Sequence, residues 1–172
     1  TASIARHTGP ATLQAFAALT HLGDALTLAV IGVVVAGALW WKRQRALAAG
    51  WVAAVGGNAL LSPTLKRIFE RVRPLHEHGL VTETSYSFPS GHSSSSLVVY
   101  GMLAYLVLRL APQRWHLPAL LAATALAFGI GCSRIFLQVH FASDVAAGFA
   151  SGGAWLLACI VSLELGRAWQ RR

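Results

Sequence analysis

The sequence predicts an all-α fold, a polytopic bundle of transmembrane helices, from three observations. The chain is 55% hydrophobic and only 12% charged, with a mean hydropathy of +0.56, far above what a soluble globular protein carries. Its apolar residues gather into five runs, each close to the length that crosses a bilayer core. The basic residues stand in the breaks between those runs and form no continuous stripe with interleaved aromatics, so the formal charge of +8 does not point to nucleic acid as a partner. Residues 1–172 are read as one membrane domain, with 1–23 an interfacial segment and 24–172 the transmembrane core. No internal repeat, low-complexity tract or linker divides it. The chain begins at Thr1 without a methionine or a signal peptide, so its start is expected to be a truncated or processed end.

In residues 1–24, Leu13, Phe16 and Ala17 fall at i, i+3 and i+4, and the next position on that face is the polar Thr20. The stretch is too short and polar to span, so an amphipathic interfacial helix is expected, ended by a turn at Gly23, with Asp24 at the N-cap of the following helix. The first span covers residues 25–41 and stops at Lys42, Arg43 and Arg45. The second covers 46–61, where Gly50, Ala53, Gly56 and Gly57 favour close helix packing and Asn58 calls for a hydrogen-bonding neighbour. That helix emerges into KRIFERVRP, ending at Pro74, followed by a polar loop and SFPSGHSSSS. The third span covers 95–110, the fourth 117–131 and the fifth 145–163. Cys132 and Cys159 lie in or beside apolar runs and are read as small packing residues.

Alternation of five spans puts Lys42, Arg43, Arg45, Arg109, Arg114, Arg167, Arg171 and Arg172 on one side, which the positive-inside rule makes cytoplasmic. Three polar stretches meet on the other side: Lys66 to Pro74, Pro89 to His92, and Ser133 to Asp144. If the segment around His140 is helical, His140 and Asp144 are i and i+4, so the carboxylate reaches one imidazole nitrogen and leaves the other to act. Lys66, Arg73 and Arg134 offer cations to a phosphoryl group, and a PSGH turn that opens a helix would add Ser90 and the N–H groups of Gly91 and His92. His140 then suits the nucleophile and His92 the acid for the leaving oxygen. Each stretch also has a plain structural reading: a helix-terminal salt bridge, snorkelling basic residues, a turn with a cap. His7, His21, His76, His78 and His116 are read as loop or interface histidines. A zinc site of His76, His78 and His92 lacks a supporting cysteine or carboxylate pattern, and no metal or other cofactor is expected.

In order, K-x6-RP from Lys66 to Pro74, PSGH from Pro89 to His92 and SR-x5-H-x3-D from Ser133 to Asp144 resemble the type 2 phosphatidic acid phosphatase family of integral-membrane lipid phosphatases. The resemblance runs from Lys66 through the fifth span. It implies that Lys66, Arg73, Ser90, Gly91 and Arg134 bind phosphate, that His140 becomes a phosphohistidine oriented by Asp144, and that His92 is the acid and later the base for water. Arg71 matches a common basic position of the first motif, without a defined role. The partners expected are a lipid phosphate and membrane lipids, with no obligate protein partner; the positive-inside rule puts the site on the extracytoplasmic side, and the short loops and lean architecture point to a bacterial inner membrane. The same triplet occurs in vanadium haloperoxidases, and a lipid phosphotransferase would use the same histidine chemistry. Membrane members of the family usually have six spans, so either a first helix has been removed or the stretch before Asp24 partly replaces it. Gln138 and Ala142 stand where glycine and proline are common.

Overall fold

The computed structural model describes residues 9–74 and 85–169. Its helices are α1 (Pro10–Thr20), α2 (Ala25–Trp41), α3 (Arg45–Phe69), α4 (Gly91–Leu110), α5 (His116–Phe136) and α6 (Ala142–Trp169), and the described residues contain no strand. By length and composition α3, α4, α5 with the short turn before it, and α6 can each cross a membrane. The pair α1 and α2, bent by 41° at its break, makes a fifth span if taken together.

Helix α4 sits at the centre, against α3, α5 and α6. Val98, Val99, Met102 and Leu106 on α4 form a core with Trp51, Ile130 and Leu156 from those neighbours. Polar groups inside this core must find partners within the protein, because lipid offers none. Ser94 Oγ donates to Asn58 Oδ1 at 2.7 Å and Asn58 Nδ2 donates to Ser95 Oγ at 3.0 Å. Trp51 Nε1 donates to the Gly32 carbonyl and Trp155 Nε1 to that of Ala54.

The helix ends differ from the hydropathy reading in ways that matter for the site. Helix α3 continues past residue 61, through Pro63 to Phe69, and so carries Lys66 in its last turn. Glu70 stops it in the left-handed region, with φ 44° and ψ 32°. Helix α4 begins at Gly91, because the Ser90 side chain accepts from the Ser93 N–H and caps it. The face of α1 read from the sequence is the one turned inward: Leu13 and Thr20 are buried, and Phe16 stacks on Phe136 of α5 at 4.5 Å between ring centres.

Small residues set how closely α6 approaches its neighbours. On α3, side chains of α6 fill the space a Cβ would need at Gly50 (Leu163) and Gly57 (Trp155), whereas Gly56 meets nothing within 4 Å and Ala53 is exposed, so only two of the four positions expected to pack closely do so. The closest backbone approach involves glycines the sequence reading passed over. A Cβ at Gly148 would lie 2.5 Å from the Ser90 carbonyl oxygen, and one at Gly152 2.7 Å from that of Ser94. Backbone cannot yield as a flexible side chain can, so Gly148→Ala is expected to cost about 1–3 kcal/mol and lower the melting temperature in detergent. Gly153→Ala, whose Cβ would meet only Leu97 Cδ2 at 3.6 Å, should leave it unchanged. Equal melting temperatures for the two variants would contradict this packing.

Candidate functional site

The end of α5 places His140. Gln138 takes the left-handed conformation, with φ 57°, and donates its N–H to Ile135 O, while Val139 donates to Arg134 O. That pair of bonds is a Schellman closure. The His140 N–H also reaches Arg134 O, at 3.2 Å, so the backbone of one motif residue holds the other. His140 therefore lies in the loop before α6 and not in a helix, as an i, i+4 reading of its spacing from Asp144 had supposed. The pairing survives by another route, because Asp144 stands in the first turn of α6. Its Oδ2 accepts from the Phe141 N–H at 2.9 Å, in the manner of an N3 carboxylate returning to the N-cap, and lies 3.3 Å from His140 Nδ1.

Both ring nitrogens of His140 have assignable roles. Nδ1 faces a carboxylate oxygen and must carry the proton. Nε2 lies 3.2 Å from Arg73 Nη1, a donor, and must present its lone pair. The imidazole is 1% exposed, and its pKa is lowered to about 4. Burial is the largest cause; the charges of Arg73, Arg134 and Lys66 push the same way, against the hydrogen bond to Asp144. Below about pH 4 the imidazolium forms, and above it Nε2 keeps its lone pair. Arg71 acquires a definite place: Nη1 donates to Asp144 Oδ1 and to Ser143 Oγ, both at 2.8 Å, and its guanidinium lies over the Phe141 ring.

The first motif is tied to the turn before α4. The Ser87 N–H donates to Arg71 O and its hydroxyl to Val72 O, while Phe69 meets Phe88 edge to face. Lys66 Nζ donates to Ser85 Oγ and Tyr86 O, each at 2.9 Å. Arg73 donates to Ser85 O, Tyr86 O and Val139 O. These neutral oxygens sit where an anion could replace them. The third link is Ser90, whose N–H donates to Asp144 O at 2.9 Å. Its Oγ accepts from Ser93 N–H and O–H, which leaves its own proton to donate. Gly91 and His92 follow as the first residues of α4, where N–H groups lack helical partners.

The structure thus brings Lys66, Arg73, Ser90, Gly91, His92, Arg134, His140 and Asp144 to one end of the bundle. Three further residues come from the segment before the motifs. Arg134 is fully buried and donates from Nη1 to Thr20 Oγ1 at 2.8 Å. His92 Nε2 pairs with Asp24 Oδ1 at 3.0 Å, and Asp24 Oδ2 with His21 Nδ1 at 2.7 Å. Thr20 had been taken only as a polar break in an apolar face, Asp24 as a cap and His21 as a plain interface histidine. Their one sequence signal was a cluster of polar residues at a helix break. His7, His76 and His78 lie outside the described residues, and with the last two lies the zinc alternative. Among the described residues no group of His, Cys, Asp and Glu is placed to hold a metal ion.

Two cavities meet at Lys66, Pro63 and Ser85. One, of about 430 Å³, runs down between α2, α3 and α4 along Leu28, Val55, Val98 and Val99, with Lys66, Gly91 and His92 at its polar end. The other is basic, lined by Lys66, Arg67, Arg71 and Arg73.

Comparison with known proteins matches residues 45–165 to the family model described as PAP2 superfamily. Phosphatidylglycerophosphatase B of Bacillus subtilis is 35% identical over 142 residues, which cover 78% of this chain and 66% of that protein. The lipid A 1-phosphatase of Rhizobium etli is 32% identical over 172 residues, covering 86% and 70%. The chain thus spans about two thirds of the length of these relatives. The crystal structure of a transmembrane PAP2 type phosphatidylglycerolphosphate phosphatase from Bacillus subtilis superposes with a TM-score of 0.87 at 29% identity, over 94% of this chain and 81% of that one.

Proposed function

The chain belongs to the PAP2 superfamily, and on that premise we propose that it hydrolyses a phosphomonoester or diphosphate of a membrane lipid through a phosphohistidine on His140. The observation that carries this reading is the His140 imidazole itself. Its Nδ1–H is held by a buried carboxylate and its Nε2 lone pair is turned toward Arg73. In the reaction Lys66, Arg73 and Arg134 hold the phosphoryl oxygens, aided by the Ser90 hydroxyl and the Gly91 N–H, with phosphate oxygens replacing those of Ser85 and Tyr86. Nε2 attacks phosphorus; the N–P bond forms as the bond to the leaving oxygen breaks, and His92 gives that oxygen its proton. Water then attacks the phosphohistidine, His92 takes a proton from it, and the N–P bond breaks to release inorganic phosphate. Charge developing on the phosphoryl group is met by fixed cations.

A lipid substrate is supported by the apolar cavity, which can take a chain while Lys66 and His92 stand at its polar end. The relatives' names add phosphatidylglycerophosphate and lipid A as lipid classes. The basic turns at Lys42 to Arg45, Arg109 to Arg114 and Arg167 lie at the end opposite the site, and by the positive-inside rule they support a reading in which the site works at the outer face of a bacterial inner membrane.

The direct test is phosphate release from a panel of phosphatidic acid, phosphatidylglycerophosphate, undecaprenyl diphosphate and lipid A, in detergent, before and after exhaustive EDTA treatment. Because the cations that face phosphate are side chains, release from at least one lipid should continue unchanged in EDTA. Loss restored by magnesium, or no release from any lipid, would overturn the proposal. The state of the nucleophile has its own test in NMR of histidine-labelled protein. The signals that vanish in His140→Gln should report an Nδ1–H neutral ring down to about pH 4. Titration near the ordinary histidine value of about 6.5 would contradict the buried, cation-faced setting.

A further inference from the structure

We propose that Asp24 is a positioning residue for His92, so that the break between α1 and α2 is a working part of the reacting site. This rests on the reading of His92 as the acid. Asp24 occupies the N-cap position of α2, yet its side chain makes no cap bond there. Its carboxylate turns to His92 Nε2 at 3.0 Å instead, with His21 Nδ1 at 2.7 Å on the other oxygen. A group that forgoes its local helix for a residue on another helix is placed by the tertiary structure.

The break that carries it is anchored on the elements that hold the site. Thr20 accepts from buried Arg134, and Tyr100 Oη donates to the Leu22 carbonyl at 2.7 Å. At Gly23 a Cβ would lie 2.6 Å from Ile130 Cγ2 and 3.0 Å from the His92 ring, so only glycine lets the chain come this close. Charge balance argues the same way. As the acid, His92 carries a positive charge in a site that already holds Lys66, Arg73 and Arg134. Asp144 is committed to His140 and Arg71. Asp24 supplies the carboxylate that faces His92, as Asp144 does for His140. During phosphorylation the His92 proton passes to the leaving oxygen as the P–O bond breaks and the His140 N–P bond forms; Asp24 neither gains nor loses a proton.

The test compares Asp24→Asn, Asp24→Ser, His92→Ala and Asp24→Asn in the His92→Ala background, on phosphatidic acid and on p-nitrophenyl phosphate. Serine keeps a good helix cap while removing the carboxylate, so it separates helix start from catalysis. Both Asp24 variants should lose on the order of 10- to 100-fold in kcat on phosphatidic acid, somewhat less than removal of the acid itself, with KM little changed. Their nitrophenol burst should be nearly unaffected, because nitrophenolate leaves without a proton. The double variant should be no worse than His92→Ala alone. Equal losses in the rate of the phosphorylation step on both substrates, a wild-type rate on phosphatidic acid, or a further loss in the double variant would overturn the role of Asp24. If the phosphorylation step of His92→Ala itself fails to distinguish the two substrates, the assignment of the acid fails first, and this inference with it.

Discussion

His140→Ala is expected to be inactive toward lipid phosphates and toward p-nitrophenyl phosphate alike. The reason is that Nε2 is the atom proposed to bond phosphorus, so no choice of leaving group can replace it. An activated ester relieves the need for an acid but not for a nucleophile. The loss should reach the background of the assay, and the variant should still fold, because its neighbours Asp144 and Arg71 remain paired with each other at 2.8 Å. Circular dichroism and a melting curve in detergent separate this from misfolding. A folded His140→Ala that still turned over nitrophenyl phosphate at more than a few per cent of the wild-type rate would remove His140 from the reaction path.

Asp144→Asn should approach that effect, with a loss on the order of 10³- to 10⁴-fold in kcat, the scale seen when an amide replaces the orienting carboxylate of a histidine base. The side chain is fully buried, and its two oxygens serve His140 Nδ1, the Phe141 N–H and Arg71. An amide must offer a carbonyl to one side and an NH2 to the other. If the NH2 faces His140, the ring turns its lone pair to Nδ1 and its proton to Nε2, where it meets Arg73 and cannot attack. If the NH2 faces Arg71, two donors oppose each other. The defect should be equal for alkyl and aryl phosphates, since it lies in the nucleophile. A loss of less than about tenfold, or one confined to alkyl phosphates, would mean that Asp144 has a different task.

Much of this arrangement is legible in the sequence, and the exceptions have physical causes. Five apolar runs with basic breaks were enough to bring Lys66 to Pro74, Pro89 to His92 and Ser133 to Asp144 to one face, because alternating spans leave no other choice. Hydropathy marks where a helix leaves lipid and not where it ends, so the emergence of α3 into KRIFERVRP was legible but its stop at Glu70 was not. Spacing alone could not tell an i, i+4 pair within a helix from a loop residue facing a first-turn carboxylate, which is how His140 and Asp144 meet. Gln138 stands where glycine is common in the family, and its φ of 57° supplies the reason: the Schellman turn that delivers His140 asks for a left-handed residue. Gly148 and Gly152 look like ordinary small residues of a span until the carbonyls of Ser90 and Ser94 are found against them. Thr20 and Asp24 were least legible, because their partners Arg134 and His92 are far away in the chain and the helix break that points them inward has no signature beyond Gly23.

The central claim is a covalent phosphate on His140, and its most direct test uses His92→Ala, in which phosphorylation by nitrophenyl phosphate should outrun hydrolysis for want of a base. Rapid quench with labelled substrate should show a burst of nitrophenol matched mole for mole by protein-bound phosphate that survives alkali and is lost in acid, as a phosphoramidate is. The burst and the label should both vanish in the His92→Ala, His140→Ala double variant. A burst without bound phosphate, or label that persists when His140 is gone, would contradict the account.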